Sequence, residues 1–205
     1  MKLLKCVALI GAVCAAFAVQ SARADFISEL TVSNLPGMST GDFGTVDVSL
    51  NVATQTATVT FTAAAGFSFG DGSSAAVELN TSSFTEAFVS ETPTNNFKAF
   101  AFDQQVDGFG NFDLALDQNN FKIKLSSITF TVTNTSGILW ATDADVLAFN
   151  EQGFDAAAHI FSSSTGLTGF AAEGPGTHVP DSGTTAMLLG GALAGLSLVR
   201  RYLKR

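Results

Sequence analysis

The chain has 205 residues, of which 46% are hydrophobic and only 14% charged, and its formal net charge is −8. Such an acidic balance repels phosphate backbones, so we exclude nucleic acid as a partner. Both cysteines, Cys6 and Cys14, fall near the N-terminus, so the remaining chain has no thiol for a disulfide, a zinc site or a cysteine nucleophile.

The first segment, 1–24, has the organisation of a signal peptide. Two lysines precede an apolar h-region, Val7–Val19, and Ala22 and Ala24 are the small residues of a cleavage site. We therefore predict export by the general secretion machinery and removal of this segment by signal peptidase.

The segment 25–173 is predicted to be a single exported domain, since its length suits one hydrophobic core. Without the cations of the two ends, residues 25–178 carry three lysines against seventeen acidic residues, a net charge of −14. A surface with this charge keeps a domain soluble and attracts divalent cations or basic partners.

Alternating apolar and polar residues predict strands at Val46–Val52 and Thr56–Ala63, joined as an antiparallel hairpin. Because there is no long amphipathic helix, we predict an all-β domain, a single jelly-roll-like β-sandwich whose core is filled mainly by phenylalanine. Further predicted strands are Phe26–Val32, Ala75–Leu79, Phe84–Val89, Phe97–Phe102, Phe112–Leu116, Phe121–Leu125, Ile128–Val132, Val146–Phe149 and Ala157–Phe161.

Two local features leave alternatives open. The apolar residues change phase across Ser126-Ser127, which requires a bulge, the favoured reading, or a turn. The segment Asp155–His159 fits either the start of a strand or one helical turn with Asp155 as its N-cap.

Few residues suggest catalysis. His159 lies in an apolar run, and no Gly-x-Ser-x-Gly, P-loop or His-Glu-x-x-His motif occurs. We predict no enzyme activity, no catalytic residue, no metal site and no cofactor.

A group of acidic residues supports an alternative to this prediction, namely calcium binding or chemistry on a glycan. They gather around a predicted turn and the strand after it, where carboxylates could bind calcium or act in pairs on a glycan; the residues are Asp103, Asp107, Asp113 and Asp117. A solvated acidic face is the simpler interpretation. A sugar-binding groove would be indicated by an exposed Trp140 beside two or more of these acids.

The chain ends in three parts. A spacer and motif, 174–183, precede an apolar run, 184–199, and a basic tail, 200–205. The run would reach roughly 24 Å as a helix, a marginal transmembrane span against a core of about 30 Å. The cations after it place that end in the cytoplasm by the positive-inside rule; they are Arg200, Arg201, Lys204 and Arg205.

This tail resembles the PEP-CTERM class of bacterial sorting signals in its VPDSG variant. The matching motif residues are Val179, Pro180, Asp181, Ser182 and Gly183, and the basic tail matches the stop cluster. The Pro-Glu-Pro core of the commoner variant is absent. A permanent C-terminal anchor is the alternative interpretation.

The resemblance implies a membrane-embedded exosortase that processes the precursor near the motif. It implies a membrane-anchored precursor, a mature form in the cell envelope, on the cell surface or outside the cell, and exopolysaccharide as a partner to consider. We therefore expect a non-enzymatic surface or extracellular-matrix protein. The alternative is a carbohydrate-binding or glycan-active sandwich that uses Asp pairs, with or without calcium.

Overall fold

The computed structural model describes residues 26–70, 72–94, 97–118, 123–173 and 179–180. All of them belong to one compact unit, Asp25–Asp181. The predicted signal peptide, apolar run and basic tail lie outside the described residues. Within the described part, no helix has the length and hydropathy that a membrane crossing needs.

The described secondary structure consists of strands and one short 3₁₀ turn, Asp143–Asp145, which confirms the all-β prediction. The strands are β1 Phe26–Ser33, β2 Thr40–Asn51, β3 Thr56–Ala63, β4 Phe67–Phe69, β5 Ala75–Val77, β6 Phe84–Thr92, β7 Phe97–Val106, β8 Gly110–Gln118, β9 Ser127–Asn134, β10 Ala156–Ser162, β11 Thr168–Glu173 and β12 Val179–Pro180.

These strands join into one antiparallel sheet. Ten follow the order β6-β9-β3-β2-β1-β11-β10-β5-β8-β7, while β12 adds to β1 and β4 adds to β10. The predicted hairpin is confirmed: β2 and β3 pair from Gly44↔Ala63 to Asn51↔Thr56. Gly44 is required there, because a Cβ at this position would lie 2.4 Å from the carbonyl oxygen of Thr62.

The main core receives buried side chains from both halves of the sheet. Val48 of β2 and Phe130 of β9 share it with Leu114 of β8 and Ile160 of β10. The sheet therefore folds over, so that its two halves enclose one apolar interior.

Phe61 shows how the two halves meet. Its ring is fully buried on β3, contacts Phe69 of β4 edge to face at a centroid distance of 6.0 Å, and stacks on Phe130 at 6.3 Å. Phenylalanines are prominent among the largest fully buried side chains, but the prediction that phenylalanine fills most of the core is wrong. Among the described residues, Ala, Leu and Val each outnumber Phe in the buried set, and Phe100 and Phe149 are exposed.

A second apolar cluster covers the other face of β8, β5, β10 and β11. Alanines of these neighbouring strands, such as Ala115 and Ala157, pack with Phe109, Phe112 and Phe154. Small residues are suited to this position because both faces of these strands are covered.

Of the two alternatives left open for Asp155–His159, the strand is confirmed, since Ala156–Ser162 forms β10 between β11 and β5. Two other local predictions are corrected. Val146–Phe149 is not a strand and contributes only an isolated bridge, Leu79↔Leu147. The phase change is a bend at Ser126 rather than a bulge, and β9 begins at the next residue.

Candidate functional site

The first two residues of the predicted sorting motif form an edge strand on the domain. Val179 pairs with Ile27, and Pro180 pairs with Phe26. Proline has no N–H to donate to a ladder, which is compatible with the described strand ending at this residue. The other predicted sorting residues, Asp181, Ser182, Gly183 and the basic cluster, lie outside the described residues, as do Ala22 and Ala24.

The strand that precedes this motif, β11, also pairs with β1. Along β1, β11 pairs with Ser33, Val32 and Leu30, and β12 then pairs with Ile27 and Phe26. The C-terminal chain therefore returns along the strand with which the described chain begins. The two ends of the domain lie together at the start of β1.

A buried acidic pair lies where β11 ends, and sequence reasoning missed it. Asp155 and Glu173 are each 1% exposed, and the Oγ of Ser28 on β1 donates to Oδ1 of Asp155 at 3.3 Å. Burial raises the pKa of Asp155, and hydrogen bonding to Glu173 and its charge raise it further.

This pair is arranged to hold a proton. No N–H or O–H group in the described part of the chain donates to Oδ2 of Asp155, which is buried. A proton on Asp155 removes a negative charge from the interior and supplies the donor that two facing carboxylates lack. No local sequence signal could have found the pair, because its members are joined only by the strand register.

A second acidic pair joins β5 to β8. The N–H of Asp113 donates to Oε2 of Glu78 at 3.2 Å, and the N–H of Leu79 donates to Oδ2 of Asp113 at 3.1 Å. Burial and the nearby charge of Asp113 raise the pKa of Glu78 to about 7. Burial also raises the pKa of Asp113, and the charge of Asp103 adds to this effect.

The predicted acidic group is therefore only partly brought together. Asp113 acts with Glu78, which sequence reasoning did not select, while Asp117 lies opposite Lys98 in the register of β7 and β8. Among the described residues, no three His, Cys, Asp or Glu side chains are placed to hold a metal ion.

Trp140 does not form a sugar-binding platform. It is 2% exposed, and its indole Nε1–H donates to the carbonyl oxygen of Asn80 at 2.7 Å. The expected sign of a sugar-binding groove, an exposed Trp140 beside acids, is absent. His159 is half-buried on β10 and stacks on Phe170 with a centroid distance of 4.7 Å.

The described domain is an all-β module whose last strand, β12, lies at the start of a C-terminal targeting segment. That segment, residues 178–203, matches the VPDSG-CTERM motif, a sorting signal of the PEP-CTERM type. The match confirms the resemblance seen in the sequence. No curated protein and no solved structure matches the chain significantly.

Proposed function

We propose that this chain is a non-enzymatic cell-surface or extracellular-matrix protein that an exosortase-type membrane protease releases or transfers. In this proposal, 1–24 is the signal peptide, 25–173 the exported domain, 174–183 the spacer and motif, and 184–199 the membrane helix, followed by the cytoplasmic tail 200–205. The folded-over sheet is interpreted as the predicted β-sandwich.

One observation carries this proposal: the VPDSG-CTERM motif at 178–203 directly adjoins the folded domain, since the last strand, β12 Val179–Pro180, lies among its first residues. A sorting signal needs a folded cargo and an accessible processing segment. Here the cargo is complete at β12, and only Asp181–Gly183 separates Pro180 from the apolar run.

The direct test compares the unaltered chain with a Pro180→Ala/Asp181→Ala variant in a host that contains an exosortase. We expect the unaltered chain to lose its cationic terminus and the variant to keep Lys204 and Arg205, as detected by peptide mapping of the membrane fraction. A Pro36→Ala/Asp107→Ala variant, changed in the same way at exposed positions of the domain, is the matched control and should be processed. If the motif variant is processed like the unaltered chain, the motif is not the signal.

A glycan-active domain is the second candidate, and the Glu78–Asp113 pair favours it. A carboxyl group with a pKa near 7 can act as a general acid close to neutral pH. One observation counts against this candidate. Each carboxyl group already accepts a hydrogen bond from a backbone N–H and so serves to join β5 to β8.

The test for this candidate is release of reducing sugar from bacterial exopolysaccharide. The candidate predicts activity that Glu78→Gln abolishes and Asp42→Asn, at an exposed acid outside the predicted acidic group, leaves intact. The non-enzymatic proposal predicts no release by any of the three proteins.

A further inference from the structure

One end of the sheet carries an exposed apolar surface that the fold does not use. It consists of Val52 in the β2–β3 turn and of Ile138 and Leu139 in the loop after β9, and we call these three residues the apolar tip. Their side chains are 42%, 76% and 72% exposed. Two adjacent side chains so fully exposed contribute almost nothing to the core.

The apolar tip is held in place by buried polar contacts. The side chain of Gln55 donates to the carbonyl oxygens of Val52 at 2.9 Å and Trp140 at 3.0 Å, and accepts from the N–H of Trp140 at 2.7 Å. Asn134 holds the loop from its other side by donating to the carbonyl oxygen of Ile138 at 2.7 Å. The two loops are therefore one preformed surface.

This end of the domain is also free of exposed charge over long stretches. Residues 48–70 and 125–142 contain no charged side chain, although residues 25–178 carry a net charge of −14. The two acids that follow the tip loop in the chain turn toward backbone: Asp143 accepts from the N–H of Leu50, and Asp145 accepts from the N–H groups of Ala141 and Thr142. One exposed acid, Glu86 of β6, pairs with Val132, two residues before Asn134. An apolar surface with little charge is suited to insert into a lipid interface. A basic partner protein would instead need an acidic surface to bind.

The C-terminal chain leaves the domain at this same end. Pro180 pairs with Phe26, which pairs with Val48 of β2 on its other side. Val52 lies four residues beyond Val48, at the end of β2 and the start of its turn. At a rise of roughly 3.3 Å per residue, the apolar tip therefore projects about 13 Å beyond Pro180.

The covalent tether is about as long as this projection. Three residues, Asp181–Gly183, separate Pro180 from the apolar run that begins at Thr184. Four chain steps of about 3.3–3.6 Å reach at most roughly 14 Å. Suppose that the apolar run 184–199 is embedded in a bilayer and that the strands of the domain lie near the membrane normal. The apolar tip then reaches the lipid headgroups even when Asp181–Gly183 is fully extended.

We propose that in the anchored precursor the apolar tip inserts into the outer interface of the bilayer and holds the domain upright over the processing segment. This inference rests on the proposed function, because it requires that the run 184–199 anchors the precursor. Membrane contact then presents the motif in one orientation, and release of the tail frees the domain from the surface.

The test uses the full chain in membranes of a host without an exosortase, with Cys6 and Cys14 replaced by Ala. A polarity-sensitive fluorophore is attached at Ile138→Cys or, in a second protein, at Leu139→Cys. The matched control is Leu167→Cys, an exposed apolar position in the β10–β11 turn at the opposite end of the sheet. We expect blue-shifted emission and quenching by nitroxide-labelled lipid at 138 and 139, and neither effect at 167.

Three outcomes would overturn the inference. Equal, water-like emission at 138, 139 and 167 in a chain that fractionates with the membrane would refute tip insertion while leaving the sorting proposal intact. A blue shift that requires co-expressed exosortase would assign the apolar tip to the protease rather than to lipid. A chain absent from the membrane fraction would refute the inference together with the anchored precursor of the proposed function.

Discussion

At the residue scale, the buried Asp155–Glu173 pair has the clearest consequence for stability. The folded protein favours protonated Asp155, whereas the unfolded chain titrates near the ordinary value of about 3.9. The stabilisation from this proton is fully present below that ordinary pKa and is lost as pH rises through the raised one. Glu78, whose pKa is raised to about 7, acts in the same direction.

We therefore expect the melting temperature of the domain to fall between pH 5 and pH 8. Asp155→Asn should reduce this fall, because the amide is neutral at both pH values and can donate to Glu173. The measurement is thermal unfolding followed by circular dichroism across this range. Glu151→Gln, at an exposed turn position, is the control and should keep the pH dependence of the unaltered protein. An unchanged pH dependence in Asp155→Asn would show that the pair is not the source.

At the scale of elements, the β2–β3 hairpin supplies one wall of the core. Phe61 is 0% exposed and contacts rings from β4 and β9. Phe61→Ala should lower the free energy of unfolding by about 3–5 kcal/mol, through lost burial and the cavity left behind. Phe100→Ala, on β7 with a side chain 40% exposed, should cost much less. Denaturant titration compares the two variants, and similar losses would contradict the assignment of the core face.

The sequence could predict this hairpin because one face of each strand is buried and the other is wet. The same reasoning missed β11, half of which consists of Gly169, Ala171 and Ala172, residue types that are depleted in strands. Alternation also fails where both faces are covered, as for the alanines of β10, which sequence reasoning left open to a helical turn. Position in the sheet, rather than local preference, decides these segments.

The acidic pairs were beyond sequence reasoning for a related reason. Glu78 meets Asp113 because β5 pairs with β8, which is distant in the chain, and Asp155 meets Glu173 through the register of the β10–β11 hairpin, which sequence reasoning did not predict. The sorting motif, by contrast, is a linear signal placed next to an apolar run, so its residues could be identified without any fold. Its pairing with Phe26 and Ile27 through β12 could not.

At the scale of the whole molecule, the start of the sorting signal is part of the fold, because β12 pairs with β1. Phe26 and Pro180, the first and last described residues of the domain, pair at the start of β1, so the segments that precede and follow the domain both join it at one end of the sheet. A net charge of −14 on residues 25–178 favours a soluble domain once the tail is removed.

The central claim is that the tail is a processed sorting signal, and intact-mass measurement of the mature protein tests it most directly. The protein is purified from an exosortase-bearing host and from the same host with the exosortase deleted. We predict that the exosortase-bearing host yields a chain that begins at Asp25 and lacks Arg200–Arg205, while the deletion host retains the basic tail in the membrane fraction. A mature chain that still ends in Lys204-Arg205 in both hosts would contradict the account and establish a permanent anchor.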